Sequence, residues 1–140
     1  FTLAQKDMGR GDFTKIPGGL PGVETRGEVV YTCGVAAGNM TVAGMCRTLC
    51  ENPAKLYGLY HRKGVIAAGS DADIVVYDPE ASHILTAADM VTKAGYTPFE
   101  GLRTEGGIVK VYLRGQLMVE DGRIVGGHEG QYLRRGLCTL

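Results

Sequence analysis

A chain of 140 residues can bury a real core as one domain, and 44% hydrophobic with 21% charged residues is ordinary globular composition. Fifteen basic and fifteen acidic side chains cancel, which removes the electrostatic reason to expect a nucleic acid or an anionic membrane as partner. No apolar run approaches the roughly 20 residues that a bilayer crossing requires, no signal peptide is visible at the start, and the 22 glycines favour a loop-rich or β-rich body over a helical bundle.

Residues Phe1 to Gly19 are polar, Gly-rich and without periodicity, and they read as a loop. The Arg10-Gly11-Asp12 string inside it is short enough to arise by chance, and nothing else in the chain is extracellular in character. Val23, Val30 and Cys33 recur at helical spacing and predict a helix over about Gly22 to Thr32, ended by Gly34 and Gly38. Thr41 is placed to cap a second helix, whose Val42, Met45, Cys46, Leu49 and Cys50 form one apolar stripe at 3.6 periodicity, best read as core packing. Asn52-Pro53 predicts a restart, with Asn as cap and Pro at the first helical position, and Gly58 closes that helix. Asn39-Met40-Thr41 matches a glycosylation sequon but reads as linker plus cap.

After Tyr60 the period changes from helical to β. The stretch Arg62 to Pro79, RKGVIAAGSDADIVVYDP, predicts a hairpin: Val65-Ile66, a Gly69-Ser70-Asp71 turn, then Ile74 to Tyr77 stopped by Asp78-Pro79. Ser82 to Leu85 is a further short strand candidate. Ala87 to Gly107 is irregular, and a loop of that length is usually functional or packed on something else. Ile108 to Leu113 predicts a strand, Arg114-Gly115 a turn, Gln116 to Glu120 a strand, and Asp121-Gly122 a tight hairpin into Arg123-Ile124-Val125. Gly126 to Leu140 reads as a tail. The fold class is therefore α+β, with helices first and antiparallel strands after.

Chemistry is scarce. His61, His83 and His128 stand far apart, outside any HxH, HExxH or HxxxH spacing, and read as surface residues. Cys33, Cys46, Cys50 and Cys138 contain no CxxC and read as reduced thiols of a cytosolic protein. Asp71, Asp73 and Asp78 bracket a turn and strand, where Asp is common for turn reasons. The IPGGLPG loop, Ile16 to Gly22, is different. Glycines flanked by Pro17 and Pro21 make a rigid loop with exposed backbone N–H and C=O groups, able to bind a small polar ligand through main chain alone.

Several stretches together resemble one family. FTLAQKDMGRGDFTKIPGGLPGVETR (1–26), ENPAKLYGLYHRKGVIAAGSDADIVVYDP (51–79), YTPFEG (96–101) and GGHEGQYLRR (126–135) are similar to the C-terminal part of the cyclic amidohydrolases, the D-hydantoinases and dihydropyrimidinases of the metal-dependent amidohydrolase superfamily. The resemblance implies a TIM-barrel plus β-sandwich parent. Residues 1–60 would be the end of the barrel, 61–125 a portion of the sandwich and 126–140 a C-terminal tail. It implies an enzyme that opens hydantoins or dihydropyrimidines to N-carbamoyl amino acids with two divalent metal ions, usually zinc. The metal ligands of the family would all precede this segment, whose Phe1 matches the end of the family's TDHCPF-like motif. The 140-residue chain alone is therefore expected to be inactive and metal-free. One substrate-binding position carries over: the family's IPNGLPG loop contacts the cyclic amide through the backbone of its Asn, and the matching residue is Gly18. The resemblance also implies a homotetramer, with Gln131 to Arg135 packing on a neighbour, although a disordered tail is an equal expectation. A non-enzymatic dihydropyrimidinase-related scaffold is the alternative. Such relatives depart from the GLPGVE wording that this chain keeps.

Overall fold

The computed structural model describes residues 1–127 and 130–140. His128 lies outside the described residues. Helical elements occupy the first part of the chain and a sheet the second, as the change of period predicts.

The N-terminal segment is more ordered than its composition suggests. Helix α1, Leu3–Asp7, is opened by a complete capping box: Thr2 accepts from the Gln5 N–H, and the Gln5 side chain accepts from the Thr2 N–H. The signal was present as Thr-x-x-Gln. A single 3₁₀ turn follows at Phe13–Lys15, where Asp12 accepts from Thr14, so the aspartate of the RGD string is a local turn residue.

Helix α2, Arg26–Val30, continues through π-type turns at Tyr31–Ala36 and stops at Gly38, whose φ is +76°. It begins later than predicted and runs through Gly34, which is not its end but a close approach: a Cβ there would lie 2.9 Å from the Met40 side chain. Helix α3, Val42–Cys46, is capped by Thr41 as expected. It runs without a break through π-type turns at Arg47–Glu51 into α4, Asn52–Leu56. The predicted restart at Asn52-Pro53 does not occur. Glu51 is helical, and the wide π turns ahead of Pro53 remove the need for the N–H that proline lacks. The apolar stripe of α3 is not core either. Val42, Cys46 and Cys50 are exposed and Met45 and Leu49 only half-buried, because no other element among the described residues covers that face.

Strands β1 (Ile74–Asp78), β2 (Gly107–Leu113), β3 (Gln116–Glu120) and β4 (Arg123–Ile124) form one antiparallel sheet in the order β1-β2-β3-β4. The β2–β3 and β3–β4 hairpins stand where turn chemistry predicts them, with Arg114, Gly115, Asp121 and Gly122 all at positive φ. The hairpin predicted over Arg62–Pro79 does not form. Ile74 to Asp78 is a strand, but its partner is β2, with Ile74 opposite Tyr112. Val65 and Ile66 belong to a closed loop. Ser82 to Leu85 is reduced to one bridge, Ile84 to Arg103, flanked by Leu85 N–H to Leu102 O and Thr104 N–H to His83 O bonds. Thr104 beneath them is fully buried.

Helix α2 packs on β2: Ile108 lies 3.4 Å from where a Cβ on Gly27 would be, and the Tyr31 and Tyr77 rings sit 4.5 Å apart. The tail folds back on α4, with Gly136 N–H to Gly58 O at 2.8 Å and Thr139 N–H to Lys55 O at 3.1 Å. Buried apolar residues are few: Ala54, Leu85 and Ala94 among the described residues. The accessible surface is 9710 Å², whereas a compact monomer of 14.9 kDa would expose about 7,000 Å². Exposed apolar residues such as Phe13, Val23 and Ile66 contribute to the difference. The sheet is a single layer, and no second sheet of a sandwich is seen among the described residues.

Candidate functional site

The signature stretch after Tyr60 is built for structure. Arg62 Nε donates to Asp71 Oδ2 at 3.0 Å, and Lys63 Nζ reaches the same oxygen at 2.9 Å as well as the Asp73 carboxylate. Asp71 N–H returns to Arg62 O, and Ser70 Oγ donates to His61 O. Residues 61–73 thus form a closed Ω-type loop. Asp73 also accepts from Arg114 N–H, and Gly115 N–H donates to Ala72 O, which docks the loop on the β2–β3 turn. Asp78 accepts from Glu80 N–H. The aspartates are turn and ion-pair residues, and the Lys63 hydrogen bond, with Arg62 behind it, holds the Asp71 carboxyl below its ordinary value.

The described histidines do not converge. The His61 ring lies 4.2 Å from that of Tyr60. His83 Nδ1 is 3.2 Å from Thr104 Oγ1, and its Nε2 is 3.5 Å from Glu28 Oε2. Among the described residues no group of three or more His, Cys, Asp or Glu side chains could hold a metal ion, so this donor set does not fit the metal centre that the resemblance implies. All four cysteines are free thiols, and although Cys50 is exposed as a residue, partial desolvation of its sulfur, with Cys46 nearby, pushes that thiol up.

Two concavities stand out among the described residues. The larger, about 880 Å³, lies between the Leu20–Glu28 segment, residues 81–92 and the sheet face carrying Val109, Val111 and Val119. Its walls are mostly apolar, and two of its carboxylates are engaged by backbone donors. Glu24 accepts from Val91 and Thr92 N–H at 2.8 and 3.0 Å, and Glu28 accepts from Ile108 N–H at 3.2 Å. Thr25, 3% exposed, leaves its hydroxyl without a hydrogen bond there. This is a packing surface between layers.

The smaller cavity, about 410 Å³, is lined by Phe1, Thr2, Gln5, Gly18 to Pro21 and Thr92 to Ala94. Gly18, the one substrate-contacting candidate, is exposed on its wall. Three elements fix this wall. Leu3 N–H donates to Ala94 O, tying α1 to the 92–94 segment. Glu24 holds that segment from the other side. Lys6 Nζ, on α1, donates to Gly19 O at 2.7 Å and to Pro17 O. Neither the N–H nor the C=O of Gly18 has a hydrogen bond among the described residues. Gly18 has ordinary φ and open space around a Cβ, so an asparagine would fit; Gly19, at φ +88°, is the position that needs glycine. The sequence pointed to Gly18 but not to Lys6, because a bond across 11 or 13 residues leaves no local spacing signal.

The amidohydrolase family model matches residues 22–118. The D-hydantoinase of Geobacillus stearothermophilus is 41% identical over 133 residues, spanning 94% of this chain and 28% of its own length. That of Streptomyces coelicolor is 40% identical, spanning 96% of this chain and 29% of its own. Among solved structures, a D-hydantoinase superposes with a TM-score of 0.90 at 41% identity, covering 95% of this chain and 29% of that one. A dihydropyrimidinase from Brevibacillus agri superposes with a TM-score of 0.86 at 37% identity, covering 90% and 28%. The chain therefore spans under a third of the length of the relatives it matches.

Proposed function

The chain belongs to the amidohydrolase family, and from that premise we propose that it is the C-terminal portion of a hydrolase that opens hydantoins or dihydropyrimidines to N-carbamoyl amino acids. The observation that carries this reading is the Gly18 wall of the 410 Å³ cavity. A cyclic amide presents ring C=O and N–H groups along one edge. The unpaired N–H and C=O of Gly18 complement that edge without a side chain, so glycine can stand where the family has asparagine. A cavity of this size is in the range of small-molecule sites.

Gly18 and its loop bind and orient the ring, while Phe1 and Leu20 supply apolar walls. A divalent metal pair, usually zinc in this family, would polarise the ring carbonyl and activate water. Its ligands would come from residues outside this chain, and no step is assigned to a metal held here. The reading carries with it a cytoplasmic homo-oligomer, a tetramer by family resemblance, and an inactive 140-residue chain. The names of the relatives do not favour the scaffold alternative.

The test is ring opening by the protein that carries this chain, loaded with zinc or another divalent ion, with hydantoin, a 5-substituted hydantoin and dihydrouracil as substrates. N-carbamoyl product from one of them is expected; no product from any overturns the reading.

A further inference from the structure

Lys6 does more than tie down a loop. No peptide bond among the described residues is cis, and in a trans peptide the C=O and the N–H of one plane point in opposite directions. Lys6 Nζ holds the carbonyls of Pro17 and Gly19, which share their planes with the N–H groups of Gly18 and Leu20. Those two N–H groups must then face away from Lys6. Gly18, Gly19 and Leu20 line the 410 Å³ cavity and Lys6 does not, so the cation sits behind the wall and the donors in front of it. Neither N–H has a partner among the described residues.

We infer that Lys6 is a positioning residue that fixes the Pro17–Gly18 and Gly19–Leu20 peptides so that their N–H groups form a paired donor site for a carbonyl oxygen of the cyclic amide. The inference rests on the proposed function for the identity of the ligand and on geometry alone for the clamp. An ammonium on a peptide carbonyl also polarises that peptide, which makes its N–H a stronger donor. Among the described residues the loop has no other such anchor: its glycines have no side chains, Gly19 sits at φ +88°, and Pro17 and Pro21 donate nothing. The short helix α1 holds Lys6 in register through the Thr2–Gln5 capping box and the Leu3–Ala94 bond.

The test compares wild type, Lys6→Met, which keeps the stem and loses the charge, and Lys6→Arg, which restores it, in the protein that carries this chain. In Lys6→Met the KM for hydantoin rises about tenfold, the equivalent of about one charge-assisted hydrogen bond. Its kcat stays within about threefold of wild type, and Lys6→Arg recovers most of the loss. The amide order parameters of Gly18 and Leu20 fall in Lys6→Met and recover in Lys6→Arg. Unchanged order parameters overturn the clamp whatever the kinetics. A lower melting temperature or lower kcat at unchanged KM reduces Lys6 to a structural lysine and overturns the donor role. If wild type turns over no cyclic amide while the order parameters respond, the clamp stands and the proposed function fails.

Discussion

Gly64 shows how much one residue can decide. It sits at φ +84°, and a Cβ there would lie 2.6 Å from Ala54 Cβ and 2.8 Å from Cys50 O. Both the backbone conformation and the close approach to the helix demand glycine. Gly64→Ala is expected to cost at least about 2 kcal/mol, from left-handed strain plus overpacking. A urea midpoint that falls at unchanged slope measures it; a midpoint equal to wild type would sink the assignment. Tyr77 is the second case. Its hydroxyl donates to Glu105 O at 3.1 Å, and its ring lies against Tyr31. Burial, then the nearby Glu28 and Tyr31, push its pKa up from 10.0 to about 12. The folded chain holds this proton more tightly than the unfolded one, so the stabilisation is complete below pH 10.0 and is lost as pH rises toward about 12. Absorbance at 295 nm should show one of the seven tyrosines titrating late, and Tyr77→Phe should flatten the alkaline stability limb. An unchanged limb would remove Tyr77 as its cause. Neither residue announces this role in sequence: Gly64 precedes the Val65-Ile66 run without any local signal, and Tyr77 reads as a strand aromatic, because their partners are distant in the chain.

At the scale of elements, the legible ones are those whose partners are close in sequence. The β2–β3 and β3–β4 hairpins follow from Arg114-Gly115 and Asp121-Gly122, and the α3 cap from Thr41. The hairpin predicted over Arg62 to Pro79 gives way to a closed 61–73 loop before β1, because β-branched residues and turn chemistry look alike in both. Its real constraint is charge: Arg62 and Lys63 against Asp71 and Asp73, with Asp73 also reaching the Arg114 N–H. The lowered Asp71 pKa means that this loop stabilises the fold above the ordinary carboxyl value of 3.8 and loses that stabilisation as pH falls through the lower folded value. Asp71→Asn should therefore lower the urea midpoint at neutral pH and narrow its gap to wild type below about pH 4. Parallel acid limbs in the two proteins would refute this. The α3 stripe failed as a core prediction for a related reason: periodicity identifies an apolar face but not whether anything covers it.

For the whole molecule, the 9710 Å² of accessible surface against the roughly 7,000 Å² of a compact monomer is the governing quantity. The sheet face of Val109, Val111 and Val119 opens on the 880 Å³ groove, and Val23, Ile66 and Phe13 are each at least 80% exposed. Apolar surface on this scale marks an interaction surface or an aggregation liability. The 140-residue chain on its own is expected to bind a hydrophobic dye and to sediment as species heavier than 14.9 kDa. A dye-silent monomer would mean that these faces close in solution.

The sequence by itself determined the family, the order of helices before strands, the tight turns of the sheet and the interest of the Gly18 loop. These depend on residue identity within a few positions, or on wording matched along the whole chain. Only the tertiary structure decided that β1 pairs with β2, that Asp71 and Asp73 answer Arg62 and Lys63, and that Lys6 holds the carbonyls of Pro17 and Gly19. Each of these joins groups separated by loops, where the free energy lies in contacts between distant residues and local spacing carries no trace of the partner.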